Sequence, residues 1–285
     1  MIALTINVEE AFQSPALPAP ARQDAARPMP RKVEAYVDSI LAWLSEHDAR
    51  ATFFVFGETA ERFPEMVRRV VNGGHELGCY GYEGARTIDH GDGPLIADMR
   101  LAKAILEDVG GASVIGSRVP GFAVNATNAW ALDCLRGLGF RYSSSSVARP
   151  PREGYGASPI AIEARPGFYE VPVTLVQAVG FSWLAGGGEA LARLPFWLWR
   201  KKLEVLAGRG ATFVFSAWEF QRAQPSGWGS AGGPNATGEK YADRADARIR
   251  RILDEFGGER IDALLPQAPQ RPPDSAPEPR ERPVS

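Results

Sequence analysis

The apolar run Leu4-Thr5-Ile6-Asn7-Val8 opens the chain as a short strand. A Pro-rich connection (Pro15, Pro18, Pro20, Pro28, Pro30) follows, unsuited to a helix and expected to be a surface loop. From Val33 the period changes. Val33, Tyr36, Val37, Ile40, Leu41 and Leu44 recur at helical spacing, and the turn His47-Asp48-Ala49-Arg50 ends that helix. The β-branched and aromatic run Ala51-Thr52-Phe53-Phe54-Val55-Phe56, stopped by Gly57, predicts a buried strand. Phe63, Met66, Val67, Val70 and Val71 predict a second helix, with Pro64 tolerated in its first turn and Gly73-Gly74 ending it. His75 to Tyr80 predicts a third strand. Leu95, Met99, Ala102, Ile105, Leu106 and Val109 form another amphipathic run that stops at Gly110-Gly111.

The same alternation continues. Val114-Ile115 leads into Gly116-Ser117-Arg118-Val119-Pro120, and Asn125 or Thr127 is positioned to cap a helix through Trp130, Leu132, Leu135 and Leu138. Phe140-Arg141-Tyr142 leads into Ser143 to Ser146, which reads as a polar loop rather than a nucleophile motif. Phe168 to Val176 is an extended segment, Pro195 opens a tryptophan-bearing helix reaching Leu206 and ended by Gly208, Thr212 to Phe215 is a late strand, and a last helix spans about Tyr241 to Phe256. Strands alternating with helices at this spacing predict parallel βα units, hence an α/β barrel or a doubly wound sheet. We expect one domain over residues 1–264. Residues 265–285, with Pro266, Pro269, Pro272, Pro273, Pro277, Pro279 and Pro283 among polar neighbours, have too little apolar surface to offset ordering entropy and read as a disordered tail.

Composition narrows the function. In 285 residues, 32 Lys and Arg stand against 34 Asp and Glu, a net charge of −2 that argues against a nucleic-acid partner. Cys79 and Cys134 form neither a disulfide framework nor a Cys-x-x-Cys metal pair. The start of the chain shows no basic region followed by an apolar stretch, and no window supplies the ~18 apolar residues of a membrane helix. A cytoplasmic protein without a membrane span is expected.

In parallel α/β folds the functional groups collect at the carboxyl ends of strands. Those ends carry Asn7 to Glu10, Tyr80 to Glu83, Arg118 to Pro120, Ser143-Ser144 and Ser216 to Glu219: carboxylates, one arginine, aromatics and small hydroxyls, with no histidine and no cysteine. Such a mouth suits a polar, ring-shaped ligand such as a sugar, with Tyr80 and Trp218 as stacking faces. His47 falls in a turn, His75 at the opposite end of its strand, and His90 in a loop where solvation is expected. Trp183, Trp197 and Trp199 read as packing residues.

Several of these segments resemble a known family. Thr5 to Gln13, Arg50 to Gly57, Gly74 to Leu77, Gly139 to Tyr142 and Trp218-Glu219, in order from about Leu4 to Phe220 and including Gly186-Gly187-Gly188, resemble polysaccharide deacetylases with the NodB homology fold. Within them the resemblance is to the exosortase-associated exopolysaccharide deacetylases. It implies a distorted (β/α) barrel that removes N- or O-acetyl groups from polysaccharides with a divalent metal. Set against the family pattern, the chain has Asn7 at the position of the general base, and an amide accepts no proton at neutral pH. Glu9 or Glu10 stands at an acidic metal-ligand position. The two metal histidines fall on Tyr80 and Gly84, the aspartate on Ser143 and the late general-acid histidine on Ser216. Arg118, Pro120 and Trp218 remain as the supporting frame.

The expectation is therefore a degenerate site with no intact catalytic residue and no bound metal or cofactor. Its substrate groove would comprise Glu9, Glu10, Tyr80, Glu83, Arg118, Pro120, Trp218 and Glu219. Its partners would be a polysaccharide or oligosaccharide and a protein of exopolysaccharide production. The alternative is an active carbohydrate deacetylase or glycoside hydrolase rebuilt on Glu9, Glu10, Glu83 or Glu219, using paired carboxylates or a hard divalent cation such as Mg²⁺ or Ca²⁺. A further possibility is an acidic polysaccharide held by Arg118 and the aromatics.

Overall fold

A computed structural model describes residues 2–14, 32–84, 86–148, 160–178, 181–186, 196–220, 247–248 and 250–266. The strands are β1 (Ile2–Val8), β2 (Thr52–Val55), β3 (Glu76–Cys79), β4 (Gly116–Ser117), β5 (Tyr142–Ser143), β6 (Val147–Ala148), β7 (Ile162–Arg165), β8 (Phe168–Glu170), β9 (Val173–Ala178), β10 (Phe181–Leu184) and β11 (Ala211–Ser216). Eight of them form one sheet in the order β11-β1-β2-β3-β4-β5-β8-β7, parallel throughout except for the hairpin of β7 on β8. A second sheet, β10-β9-β6, reaches across to β11: the Ala185 amide donates to the Thr174 carbonyl at 2.7 Å, and the Val214 amide to the Ala185 carbonyl at 2.9 Å. The result is a curled, distorted (β/α) barrel, the fold class expected.

Period-two alternation decides which side each residue serves. Ile2, Leu4, Ile6 and Val8 of β1, with Phe53 and Val55 of β2, join the core beneath the helices. Phe54 and its inward neighbours Phe56, Tyr80 and Tyr142 form a separate interior cluster with Ala3, Val171, Ile261 and Leu265. Both faces of β1 are buried along its whole length, as parallel strands between layers require. Each fully buried aliphatic or aromatic side chain contributes roughly 1.5–3 kcal/mol.

The helices are α1 (Val33–Glu46), α2 (Gly57–Arg62), α3 (Pro64–Asn72), α4 (Asp92–Gly110), α5 (Trp130–Gly137), α6 (Phe196–Arg209) and α7 (Ile261–Leu264). Four details depart from expectation. The helix expected from Phe63 is preceded by α2, and the two break at Phe63, which Pro64 excludes from helical backbone. Asn125 caps the 3-10 turn Ala126–Asn128, accepting the Thr127 amide at 2.9 Å, so the α-helix begins only at Trp130. Gly208 lies inside α6, which runs to Arg209 and is followed by Gly210 at φ +88°. The extended segment from Phe168 divides into β8 and β9.

Among the tryptophans read as packing, Trp197 is exposed on α6; the side chains of Trp183 and Trp199 are outside the described residues. So are the Pro-rich connection at 15–31, the start of the last helix, whose residues 250–256 are helical, and the tail beyond residue 266. Leu265, placed by sequence in the tail, is buried. Among the described residues no helix is long and apolar enough to cross a membrane.

Helix α7 closes the amino end of the barrel. Ile261 is fully buried, its amide donates to Thr52 Oγ1 at 2.9 Å, and the Asp262 amide donates to Glu76 Oε2 at 3.2 Å. Glu76 also accepts from Thr52 Oγ1 at 2.6 Å and from the Tyr142 hydroxyl at 2.8 Å. Burial, and then the charge of Asp262, push its carboxyl up to about 7 from an ordinary 4.5. A carboxyl raised on folding contributes stability that is fully present below about 4.5 and is lost as pH rises toward 7, because the unfolded chain releases the proton first. Nearby His75, pushed down to about 4 by burial and by Arg50 and Arg260, works in the opposite sense below about 6.5. The Glu76 contribution is therefore read as a difference: Glu76→Gln should gain melting temperature relative to the parent as pH is raised from about 5 to about 8. A difference independent of pH would show that Glu76 ionises freely.

Candidate active site at the carboxyl end of the barrel

Arg118 follows β4 and points into the barrel. It is fully buried, and its guanidinium is met by neutral oxygens: Nε donates to the Ser144 carbonyl at 3.0 Å, Nη1 to Asn7 Oδ1 at 2.8 Å, and Nη2 to Ser144 Oγ at 2.8 Å and Thr5 Oγ1 at 3.1 Å. Its Cζ lies 4.0 Å from the Phe54 ring centroid and 5.2 Å from that of Phe122. Burial pulls its proton affinity down to about 10, so it stays cationic at neutral pH. An arginine sealed in this way cannot receive an acidic glycan, which removes the uronate role expected of it. Asn7 is fixed by the same contact: its amide oxygen accepts the hydrogen bond from Arg118, leaving its NH₂ as a donor.

Glu9 continues the inward alternation of Thr5 and Asn7 past the end of β1. Its Oε1 accepts from Ser216 Oγ at 2.6 Å and Trp218 Nε1 at 3.3 Å, while Oε2 is buried without a hydrogen-bond partner. Burial raises its proton affinity, and the hydrogen bonds from Ser216 and Trp218 oppose that rise without cancelling it. Ser216 thus serves to hold Glu9. Glu219 folds back in the turn Ala217–Phe220, its Oε2 accepting the Ser216 amide at 3.1 Å.

Asn7, Glu9, Ser14, Tyr80, Ser216 and Glu219 line a cavity of about 230 Å³, with Phe122 and Leu184 among its apolar lining. That is somewhat below the ~300–1,000 Å³ typical of small-molecule sites and admits a single ring or acyl group.

Of the other residues expected at the groove, Glu10, Glu83, Pro120 and Trp218 do not line the cavity, and Tyr80 lines it without an open face. Glu10 turns outward, and its Oε1 accepts the amides of Lys32 at 2.7 Å and Val33 at 2.9 Å, capping the start of α1. Glu83 is exposed on the turn after Tyr80. Pro120 is buried in the turn Pro120–Phe122. Trp218 is fully buried and Tyr80 nearly so, the latter stacked on Phe56 with centroids 4.4 Å apart. Neither ring offers the open stacking face expected of it. Gly84 has φ +83°, and a Cβ there would approach the Phe56 ring at 3.1 Å.

Ser143 ends β5, and with Ser144 and Ser145 it is fully buried, contrary to the loop expected. The cause is a carboxylate the sequence reading missed. Glu170 Oε1 accepts the amides of Ser145 at 2.9 Å and Ser146 at 2.8 Å and the Ser146 hydroxyl at 2.7 Å, drawing the serine run inward. Ser143 Oγ donates to Ser145 Oγ at 2.6 Å, and the Val119 amide reaches the same oxygen at 2.8 Å.

The donor set can be tested against a divalent metal, because all three histidines and both cysteines lie within the described residues. His47 Nδ1 pairs with Asp254 at 2.7 Å, His75 Nδ1 accepts the Ala51 amide at the amino end of the barrel, and His90 is exposed on the turn Thr87–His90. Cys79 is buried toward α4, its thiol pushed up to about 12 by burial, and Cys134 lies on α5. No imidazole or thiol reaches the cavity, and among the described residues no three His, Cys, Asp or Glu side chains converge. The two carboxyls that line the cavity, Glu9 and Glu219, with no imidazole or thiol beside them, do not supply the three protein ligands that a zinc-type ion takes.

Comparison with known proteins agrees with the fold. A family model for polysaccharide deacetylase matches residues 27–143. A peptidoglycan-N-acetylglucosamine deacetylase from Bacillus cereus is 45% identical over 47 residues, which cover 16% of this chain and 17% of that protein. A second match of the same name and organism is 28% identical over 85 residues, covering 30% and 31%. The chain thus spans less than a third of the curated relatives it matches. Among solved structures, one described as a polysaccharide deacetylase from Mycobacterium smegmatis is 21% identical with a TM-score of 0.57, covering 95% of this chain and 94% of that one. The Bc1960 peptidoglycan N-acetylglucosamine deacetylase is 14% identical with a TM-score of 0.51, covering 93% and 87%. The class is set by these matches together with the sheet order: a distorted barrel of the polysaccharide deacetylase, NodB-type fold.

Proposed function

We propose that this deacetylase-type barrel has exchanged metal-dependent deacetylation for noncatalytic carbohydrate binding, in the cytoplasm, as a regulator or scaffold of exopolysaccharide production. The observation that carries the proposal is the way the family's reactive positions are filled. Asn7 is held as a neutral amide by Arg118, and Ser216 and Tyr80 face Glu9 where imidazoles would stand. No group there both accepts a proton from water and faces a metal-type donor set. The names of its relatives point to polymers of N-acetylglucosamine as the related substrate class. The exopolysaccharide role rests on the sequence resemblance to exosortase-associated deacetylases.

The test is acetate release from acetylated oligosaccharides by the full chain, with and without added zinc, cobalt or magnesium. Release no faster than the protein-free blank under every condition is expected. Turnover that requires added metal would overturn the proposal.

A second reading has its own observation: Glu9 and Glu219 line one cavity, as the two carboxyl groups of a glycoside hydrolase would. Glycosidic cleavage of the same oligosaccharides, abolished in Glu9→Gln, would favour it.

A further inference from the structure

We propose that the cavity beside Glu9 is a site for a protonated amine, taking an amino-sugar unit in its deacetylated form rather than the acetylated unit. This rests on the carbohydrate-binding function proposed above and names the ligand.

Glu9 Oε2 is a buried acceptor with no hydrogen-bond partner, on a residue that is 1% exposed and lines the cavity. Orphaned buried acceptors are costly, and a ligand donor delivered to that atom would recover the cost. Its other oxygen is already engaged by Ser216 and Trp218, so the carboxyl is held in one orientation. Glu219, from the turn after β11, brings a second carboxyl to the same cavity. The Ser14 and Ser216 hydroxyl oxygens add neutral acceptors.

The cations nearby do not supply the missing donor. Arg118 is consumed by Asn7, Thr5 and Ser144, and Arg86, which also lines the cavity, pairs with Asp89 at 3.0 Å. A compact ligand with three N–H donors and a positive charge fits a pocket with two carboxyl groups, and charge-assisted hydrogen bonds are about twice as strong as neutral ones. An acetamido group offers one N–H, no charge, and a carbonyl oxygen facing the same acceptors. Phe122 and Leu184 supply apolar surface for the C–H face of a sugar ring.

Calorimetric titration of the full chain near neutral pH with a fully deacetylated glucosamine tetramer, and separately with its N-acetylated counterpart, tests the assignment. The expected result is at least ~10-fold tighter binding of the deacetylated tetramer. The preference should disappear in Glu9→Gln, where the unpartnered acceptor becomes an NH₂ donor while Ser216 and Trp218 keep their acceptor. Thermal melting checks that this variant folds, and Glu219→Gln, which leaves the Glu9 contacts intact, should lose part of the preference. Equal or tighter binding of the acetylated tetramer, binding of neither, or a preference untouched by both substitutions would overturn the amine site. A preference for the acetylated tetramer, or one untouched by both substitutions, leaves the proposed carbohydrate binding standing, whereas binding of neither tetramer, or metal-dependent acetate release, removes that function as well.

Discussion

Replacing Arg118 with leucine should destabilise the barrel by about 3–5 kcal/mol, a large part of the ~5–15 kcal/mol typical of a folded domain. The cost comes from what the side chain leaves behind. Asn7 Oδ1, Thr5 Oγ1 and both oxygens of Ser144 accept from one guanidinium, and all belong to residues that are at most 3% exposed. Arg118→Lys should recover little, because one ammonium cannot reproduce a planar fork that reaches oxygens on β1 and on the Ser144 segment at once. Removing the acceptor with the donor reverses part of the loss. The double variant Arg118→Leu/Asn7→Leu is expected to be about 1 kcal/mol or more stabler than the sum of the single changes. Urea denaturation measures these variants and Asn7→Leu alone. Additive effects would mean that Asn7 and Arg118 are not partners.

Gly116→Ala is the second severe case. A Cβ at Gly116 would lie 2.2 Å from both Cζ and the hydroxyl oxygen of Tyr142 and 2.6 Å from its Cε1. Tyr142 is fully buried and tied to Glu76 by its hydroxyl, so the ring has nowhere to move without breaking the bonds under α7. Overpacking usually costs 1–3 kcal/mol; with the tyrosine bond lost as well, about 3 kcal/mol or more is expected. Gly116→Ala/Tyr142→Leu, which removes the clashing atoms, should be less destabilised than the two changes added together. Parent-like melting of Gly116→Ala alone would show that the ring does not occupy the interior position assigned to it.

Both positions show what sequence could and could not disclose. The order of strands and helices follows from periodicity because each βα unit buries its own apolar stripe locally, as Phe53 and Val55 do beneath the helices. Interior contacts join distant segments. The acceptors of Arg118 lie 111 and 113 residues away on β1 and 26 away on Ser144, so the sequence marks Arg118 as a rim cation but not whether its guanidinium is open or sealed. Glu170 was invisible for the same reason. A single Glu after Phe168-Tyr169 carries no spacing signal, and its partners are backbone amides 24 and 25 residues earlier. Glu9 and Glu10 were separable in principle: continuing the inward series Thr5, Asn7 by two residues selects Glu9 and sends Glu10 outward to cap α1. Closure of the barrel by Ala185 and the β9–β10 hairpin had no comparable cue, since backbone hydrogen bonds to β11 impose no side-chain pattern.

The site follows from the same physics. Three polar residues at the carboxyl ends of the strands are each satisfied by a neighbour: Asn7 by Arg118, Ser216 by Glu9, and Ser143 by Ser145. Among the described residues, the buried side-chain oxygens left idle there are the second oxygens of Glu9 and Glu170.

The most direct measurement is the metal content of the full-length protein after equilibration with excess zinc and desalting, read by elemental analysis with X-ray absorption on any metal retained. With no imidazole or thiol at the cavity, well under one zinc per chain is predicted. One tightly held zinc per chain with nitrogen ligands in its first coordination sphere would contradict the account.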